Sequence, residues 1–301
     1  MNKTYRQQVE LLLKIIPTLS GIDSFAIHGG TAINLYTLDL PRYSVDIDVT
    51  YTLIKPREES FVEIHKNLSI IKEKVKAIIP NVVISEKPNK IYCSQNGIIV
   101  KVEVSGTKRG LIEPYEVRTL CEKAQNEFET SNKAKIVSLS QLYGGKITAA
   151  LDRQHPRDLF DIKLMFDFVT DFKHVKKGFL YCLLGGDRPI VETLSPNRID
   201  QQETMIKQFS GMTDIPFSYS DYEETREKLI DFVNSNLTQQ DKEFLIAFEV
   251  RNELLQFAEY QEYLQFPSVQ WKLQNINKLK DINPIKHRES VKKLENYLMK
   301  K

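Results

Sequence analysis

The segment SVDIDVTY, residues 44–51, constrains the fold most, because polar and apolar side chains alternate along it and several of them are β-branched. This pattern predicts a β-strand, in which residues i and i+2 point to the same face. Asp46 and Asp48 therefore share one face, while the apolar residues around them face a core. Two neighbouring carboxylates repel each other unless a positive charge lies close by. Mg²⁺ accepts one or two carboxylates together with substrate phosphates, so the pair is a candidate metal site. The alternative is a solvated strand with acidic decoration.

A diglycine precedes this strand, where the strand-like SFAIHGG gives way to the helix-like TAINLYTL. Glycine lets the backbone approach a phosphate closely, and the start of a helix offers free N–H groups. We therefore predict that Gly29, Gly30 and Thr31 bind a nucleotide, with Thr31 as the N-cap of the helix and as a hydroxyl donor. The alternative is a tight turn with a helix cap and no ligand.

A second alternating segment, VKVEV, places Lys101 and Glu103 on one face of a strand and three valines on the other. Glu103 is a candidate third carboxylate if its strand lies beside the one that carries Asp46 and Asp48. Three acidic groups around one locus suit phosphoryl transfer with two metal ions.

Two further segments, SLSQLYGGKITAALDR and HPRDLFDIKLMFDFV, have helical spacing. Lys146 and Arg153 fall on one face of the first, and its small residues would let that helix approach another surface closely. Lysine and arginine are suited to binding triphosphate oxygens. Asp158 and Asp161 share a face of the second helix. The alternative for these charges is a salt-bridged helix surface.

The overall layout changes character along the chain. Strands are predicted for VVISE, KIYCSQ and GIIVKVEVSG, with Asn96-Gly97 as a hairpin turn between the last two. Beyond them the pattern becomes largely helical. We therefore predict an α/β domain over residues 1–125 and a mainly helical domain over residues 126–301.

Composition excludes several classes of protein. Of the 301 residues, 41% are hydrophobic and 27% are charged, and the net charge of +2 gives no whole-molecule case for binding nucleic acid or membrane. The three cysteines are widely spaced and odd in number, which argues against a disulfide framework or a zinc knuckle. No apolar run approaches the ~20 residues needed to span a bilayer. We expect a soluble, cytoplasmic protein with no membrane partner.

Taken together, these motifs resemble the AbiEii/AbiGii family of toxins, to which the mycobacterial MenT toxins are related. The resemblance runs through Gly-Gly-Thr, RYSVDIDVTY, VKVEV and LYGGKITAALDRQHPRDLFD, and continues into RPIVETLSPN, FSGMTDIPFS and NLTQQDKEFLIAF. It implies an α+β fold with a polymerase-β-type nucleotidyltransferase core, a mixed sheet flanked by helices. A mainly helical C-terminal domain would complete a bilobed molecule.

The resemblance also places the family's functional residues on this chain. The Gly-Ser motif falls on Gly30 and Thr31, with threonine in place of the commoner serine. The metal-binding aspartates fall on Asp46 and Asp48. Glu103 would be a third metal ligand, a position that varies among these toxins.

The later motifs of the family fall in the helical half. The motif lysine falls on Lys146, with Arg153 as its basic partner, and the final acidic motif falls on Asp158 and Asp161. Lys146, Arg153 and Asp158 would contribute to the active-site groove. Where many members have lysine before the diglycine this chain has His28, which would touch phosphate or base, or else lie in the core at a strand end.

The function implied is that of a Mg²⁺-dependent toxin. It would transfer an NMP from an NTP to an RNA acceptor, above all the 3′ end of tRNA, and release pyrophosphate. Lys146 and Arg153 would take up charge on the leaving group, and Asp158 would either orient Lys146 or act as a base. The expected protein partner is a cognate antitoxin from an adjacent gene, in a toxin–antitoxin or abortive-infection system. Two other classes stay open: NMP transfer to a protein hydroxyl, and a non-catalytic protein that binds nucleotide or antitoxin.

Overall fold

The computed structural model describes residues 2–251 and 253–299, which form α-helices and a sheet. The strands are β1 (Phe25–His28), β2 (Asp46–Tyr51), β3 (Val83–Lys87), β4 (Lys90–Gln95), β5 (Ile98–Val104), β6 (Glu116–Thr119) and β7 (Lys133–Ile136). The α-helices are α1 (Lys3–Ile15), α2 (Gly29–Ala32), α3 (Arg57–Ile78), α4 (Glu122–Phe128), α5 (Leu139–Arg153), α6 (Pro156–Met165), α7 (Lys173–Leu184), α8 (Ile190–Leu194), α9 (Gln202–Gln208), α10 (Tyr219–Asn236), α11 (Gln239–Val250), α12 (Pro267–Ile282) and α13 (Pro284–Met299). Three 3₁₀ segments occur at Ile16–Leu19, Leu254–Gln256 and Ala258–Gln265, and a π-helical turn at Ile33–Thr37 follows α2.

The strands form one mixed sheet in the order β3-β4-β5-β2-β1-β7-β6. Strand β2 lies near its centre, where it pairs antiparallel with β1 and parallel with β5. Strand β7 runs parallel to β1, and the remaining pairs are antiparallel. With helices flanking this sheet and a largely helical C-terminal region, the predicted α+β class is confirmed.

The strands form where the sequence alternates. In β2, Ile47 and Val49 are completely buried, while the two aspartates between and before them are partly exposed. The hairpin between β4 and β5 also follows the prediction. Asn96 (φ 51°) and Gly97 (φ 79°) both take left-handed backbone conformations, as a two-residue hairpin turn of this kind requires.

Helices α1 and α3 supply apolar cover for the sheet. Helix α1 contacts β5, and α3 contacts β4. The buried positions of α3 recur at helical spacing, so one face of this long helix packs inward; they are Ser60, Ile64, Asn67, Leu68, Ile71 and Val75.

The chain divides into two compact units, of which the first comprises residues 1–142 and 202–218. The boundary predicted at residue 125 falls inside α4 instead. The physical reason is strand pairing: β7 pairs with β1, so the chain beyond 125 is still part of the sheet. The segment 202–218 joins the same unit through backbone hydrogen bonds, such as Tyr43 N–H to Met212 O at 2.8 Å.

The second unit comprises residues 143–201 and 219–301, and it is helical throughout its described part. Its largest fully buried side chains are aromatic; they are Tyr143, Phe160, Phe172, Phe179, Tyr181, Tyr222, Phe244, Phe248 and Phe266. Across both units, none of the helices in the described residues is long and apolar enough to cross a membrane. All three cysteines are free thiols, as their spacing predicts.

Candidate active site

Asp46 and Asp48 lie on one face of β2, as the alternation predicts. Both side chains are partly exposed, whereas Ile47 and Val49 on the opposite face are buried. The carboxylates are therefore held in place by a central strand and remain accessible to a ligand.

The diglycine bend lies directly against this pair. Gly29 has a φ of +72°, which favours glycine, and a Cβ added there would lie 2.7 Å from Oδ2 of Asp48. A Cβ added at Gly30 would lie 2.8 Å from Oγ of Ser44 and 2.9 Å from Nη2 of Arg42. Gly29 is favoured by its left-handed φ, and a Cβ at either glycine would force a neighbouring polar side chain to move.

Thr31 takes a different position from the one predicted. Helix α2 begins at Gly29 with His28 at its N-cap position, so the prediction of Thr31 as N-cap is wrong. The reason lies in its hydroxyl, which donates to the backbone carbonyl of Asp46 at 2.5 Å and lies 3.1 Å from Oγ of Ser44. With only 1% of the residue exposed, this side chain fastens the bend to the start of β2.

The strand register extends the polar face across four strands. His28 of β1 is paired with Asp48, Asp48 with Glu103 of β5, and Glu103 with Lys90 of β4. Directly paired residues share a face of the sheet, so these four ionisable side chains form one cross-strand row. The strand of Glu103 does lie beside β2, which was the condition set for a third carboxylate.

Lys101 stands in the next row, paired with Asp46. Its ammonium lies 2.8 Å from Oε2 of Glu103, and the ammonium of Lys90 lies 2.9 Å from Oε1 of the same carboxylate. Burial acts to lower the pKa of Lys101, but the hydrogen bond to Glu103 and the charges of Asp46, Asp48 and Glu103 raise it overall. Lys101 is therefore a fixed cation among three carboxylates.

The donor set fits a divalent cation on two carboxylates. Asp46 and Asp48 are adjacent on one face and open to substrate, which is the arrangement Mg²⁺ uses when phosphates and waters complete its shell. Across residues 2–251 and 253–299, however, no group of three or more His, Cys, Asp or Glu side chains is gathered closely enough to hold a metal. The role of Glu103 as third ligand stays a prediction.

His28 is partly exposed, and its Nδ1 lies 3.0 Å from Oγ1 of Thr50. The ring lies at the strand end, on the carboxylate face beside Asp48, rather than in the apolar core.

The predicted site residues of the helical half, Lys146, Arg153, Asp158 and Asp161, form one cluster within the second unit. The ammonium of Lys146 lies 2.9 Å from Oδ1 of Asp158 and 2.9 Å from Oδ2 of Asp161. Arg153 donates to both oxygens of Asp158, at 2.6 and 3.0 Å. Lys146 and the two aspartates are almost fully buried, whereas the side chain of Arg153 is 60% exposed. The alternative of a solvated salt-bridged surface therefore does not describe this cluster.

The surroundings of Asp158 favour the ionised form of its carboxyl. Burial acts to raise the pKa of its carboxyl, but the cations of Lys146 and Arg153 hold that pKa well below its usual range. Asp161 completes the neutralisation of Lys146 from the next turn of α6.

Helix α5 carries Lys146 and Arg153, and it packs closely against α7 at one point. A Cβ added at Gly144 would overlap the backbone of Gly178 and Phe179. The prediction that small residues allow this helix a close approach is confirmed.

Sequence reasoning placed Lys101 on the face of Glu103 but did not name Lys101 and Lys90 as the partners of its carboxylate. The position of Lys101 was readable, since it lies two residues before Glu103 on the same face. Lys90 was readable as well, because a two-residue turn at Asn96-Gly97 fixes the register of β4 with β5 and so pairs Lys90 with Glu103.

Comparison with known proteins identifies a family. The family model for the nucleotidyl transferase AbiEii toxin of type IV toxin–antitoxin systems matches residues 10–275. No curated protein matches the chain in sequence.

Solved structures support the fold. The chain is similar to MenT4, a nucleotidyltransferase toxin from Mycobacterium tuberculosis H37Rv, with a TM-score of 0.58 and 16% identity over 91% of this chain and 92% of that one. A match to the CdnC:HORMA-deltaN complex of E. coli MS115-1 has 12% identity over 87% of this chain and 90% of that one, but its TM-score of 0.24 is too low to indicate a shared fold.

Proposed function

Because the chain belongs to the AbiEii family of nucleotidyltransferase toxins of type IV toxin–antitoxin systems, we propose that it transfers an NMP from an NTP to RNA, with the 3′ end of tRNA as acceptor. The observation that carries this proposal is the contact between the bend at Gly29 and the carboxylate of Asp48. A backbone bend able to approach phosphate and a carboxylate pair able to hold Mg²⁺ then meet at one place.

The proposed reaction is a displacement at the α-phosphorus of the NTP. An acceptor hydroxyl oxygen forms the new P–O bond, the bond to the bridging oxygen of the β-phosphate breaks, pyrophosphate leaves with that electron pair, and the hydroxyl proton passes to water. Mg²⁺ on Asp46 and Asp48, when bound, would neutralise phosphate charge. Gly29, Gly30 and the backbone of Thr31 position the triphosphate. The hydroxyl of Thr31 takes no part in this, because it already donates to the carbonyl of Asp46 in β2.

Within the second unit, the geometry favours one of the two roles considered for Asp158. Its oxygens accept hydrogen bonds from Lys146 and Arg153, and its pKa lies well below the usual range. A carboxylate of this kind is a poor base near neutral pH. We therefore assign Asp158 to orienting the two cations, with the exposed Arg153 as the group that binds phosphate oxygens and Lys146 as charge behind it.

The partner and the location follow from the same proposal. An NTP and an RNA acceptor place the reaction in the cytoplasm, and a type IV system supplies an antitoxin from an adjacent gene.

The test is incorporation of labelled NTPs into total tRNA in the presence of Mg²⁺. We expect labelling by the wild-type protein, a loss of at least a hundredfold in Asp48→Ala, and wild-type labelling in the matched control Asp23→Ala. Asp23 is a suitable control because its side chain is almost fully exposed and pairs only at the surface with Lys135.

The outcomes of this experiment distinguish the proposed function from its two alternatives. Equal labelling by wild type and Asp48→Ala removes Asp48 from the mechanism. Label on protein instead of RNA favours NMP transfer to a protein hydroxyl. The absence of label on either acceptor, with every NTP supplied, favours a protein that only binds nucleotide or antitoxin.

A further inference from the structure

Lysines and carboxylates are interleaved on the face of the sheet that carries Asp46 and Asp48. Along β5, Lys101 is paired with Asp46 and Glu103 with Asp48, and across to β4 Glu103 is paired with Lys90. The register therefore places two ammonium groups among three carboxylates. All five side chains stand on paired strands, which fixes their order.

Both oxygens of Glu103 are already bound. Lys90 occupies Oε1 and Lys101 occupies Oε2, at 2.9 and 2.8 Å. The Glu103 side chain is 34% exposed, so solvent and ions can reach it. A divalent cation bound by Glu103 would have to displace an ammonium or lie within a few ångströms of one, where like charges repel.

The net charge of this face with one divalent cation equals that of a site with three carboxylates and two divalent cations. Three carboxylates with two divalent cations carry one net positive charge. Three carboxylates with two ammonium groups and one divalent cation carry the same charge. The lysines can thus supply the positive charge that a second metal ion supplies in a two-metal site.

Resting on the proposed function, we propose that this site takes one divalent cation, held by Asp46 and Asp48, and that Lys90 and Lys101 together replace the second metal ion as a built-in countercharge. Glu103 holds Lys101 in place and is not a metal ligand. Because Lys101 stands within a paired strand, its charge is positioned before substrate arrives, so little reorganisation is needed.

The experiment counts Mn²⁺ ions bound per full-length chain, by electron paramagnetic resonance of the free ion. We expect one ion in the wild type. Lys101→Met keeps the length of the side chain and removes one of the two charges bound to Glu103. The double variant Lys90→Met/Lys101→Met removes both charges, and we expect it to bind two ions. Lys101→Arg keeps the charge and should bind one.

Two controls separate this inference from the proposed function. Lys72→Met breaks the ion pair between Lys72 of α3 and Glu86 of β3, away from the carboxylate face, and it should still bind one ion. Asp48→Asn should weaken Mn²⁺ binding at least tenfold. If it leaves binding unchanged, or if the wild type binds no ion, the metal site of the proposed function is lost.

The inference itself is overturned by either of two results. One is a wild-type chain that binds two Mn²⁺ ions of comparable affinity. The other is a folded double variant, verified by its thermal unfolding, that binds only one. If the double variant does not fold, Lys90→Gln/Lys101→Gln takes its place, and a count of one in that variant has the same meaning.

Discussion

At the level of single residues, Thr31 supports the candidate site through a structural hydrogen bond and not through a reaction of its own side chain. Its hydroxyl donates to the carbonyl of Asp46, the first residue of the strand that carries both aspartates. The bend and the strand are therefore joined by one buried hydrogen bond. Losing it leaves a carbonyl without its donor and loosens the position of Asp46 relative to Gly29.

We predict that Thr31→Val lowers the free energy of unfolding by about 1–3 kcal/mol, the usual cost of a buried polar group left without its partner. Thr31→Ser keeps the hydroxyl and should cost less. Urea unfolding of both variants measures the difference. A Thr31→Val variant as stable as the wild type would show that this hydrogen bond contributes no stability.

The lowered pKa of Asp158 predicts how the stability of the folded protein changes with pH. Its pKa lies well below the usual range in the folded chain, whereas in the unfolded chain it titrates near ~3.9. The unfolded state therefore binds the proton first as the pH falls, and the stabilisation that is complete above about pH 5 declines through pH 4 and below.

Urea unfolding at pH 6, 4 and 3 checks this decline. Asp158→Asn should unfold about 3 kcal/mol more easily at pH 6, since it breaks a buried ion pair, and its stability should depend less on pH than that of the wild type. Asp281→Asn, at an exposed position of α12, should retain the wild-type slope. A parallel decline in Asp158→Asn and the wild type would contradict the assignment.

At the level of helices and strands, the packing of α5 on α7 depends on one glycine. A Cβ at Gly144 meets the backbone of Gly178 and Phe179, which cannot move without shifting α7, whereas a Cβ at Gly145 finds its nearest atom, Sγ of Cys182, at 3.8 Å. The two neighbouring glycines therefore make a matched pair.

We predict that Gly144→Ala destabilises the protein by more than about 3 kcal/mol, because overpacking against rigid backbone adds to the strain. Gly145→Ala should be neutral or stabilising by up to about 1 kcal/mol, as alanine favours a helix over glycine. Chemical denaturation of the two variants measures both changes in the free energy of unfolding. A mild effect of Gly144→Ala would mean that the helices separate at little cost.

The same elements show what the sequence could and could not reveal. Strand β2 and the β4–β5 hairpin follow from local signals, namely strict alternation and the turn Asn96-Gly97. Strands β6 and β7 are four residues each; β6 pairs with β7, and β7 joins the sheet only by pairing with β1, more than 100 residues earlier. The face of Asp46 and Asp48 was likewise readable, whereas the pairing of Asp48 with Glu103 depends on the register between β2 and β5, which lie far apart in sequence.

At the level of the whole molecule, the order of the chain does not follow the order of its compact units. The first unit is completed by residues 202–218, which come after the first helices of the second unit. This segment bonds to the loop that leads into β2: Met212 accepts from the N–H of Tyr43, and the hydroxyl of Thr213 donates to Pro41 O at 2.7 Å. A distant segment thus fixes the entry to the strand of the two aspartates.

We therefore predict that Thr213→Val loosens residues 38–45 although it lies about 170 positions away along the chain. The variant loses both hydrogen bonds of the Thr213 hydroxyl, the one donated to Pro41 O and the one accepted from the N–H of Ile215 at 3.0 Å. The bond to Pro41 contributes about 1 kcal/mol, so amide hydrogen exchange in this loop should rise several-fold, while exchange in α12 stays at the wild-type rate. Thr119→Val, at an exposed position of β6, is the matched control and should change neither. If the loop kept its wild-type protection in Thr213→Val, its conformation would be set by the neighbouring sheet alone, and the distant segment would only cover it.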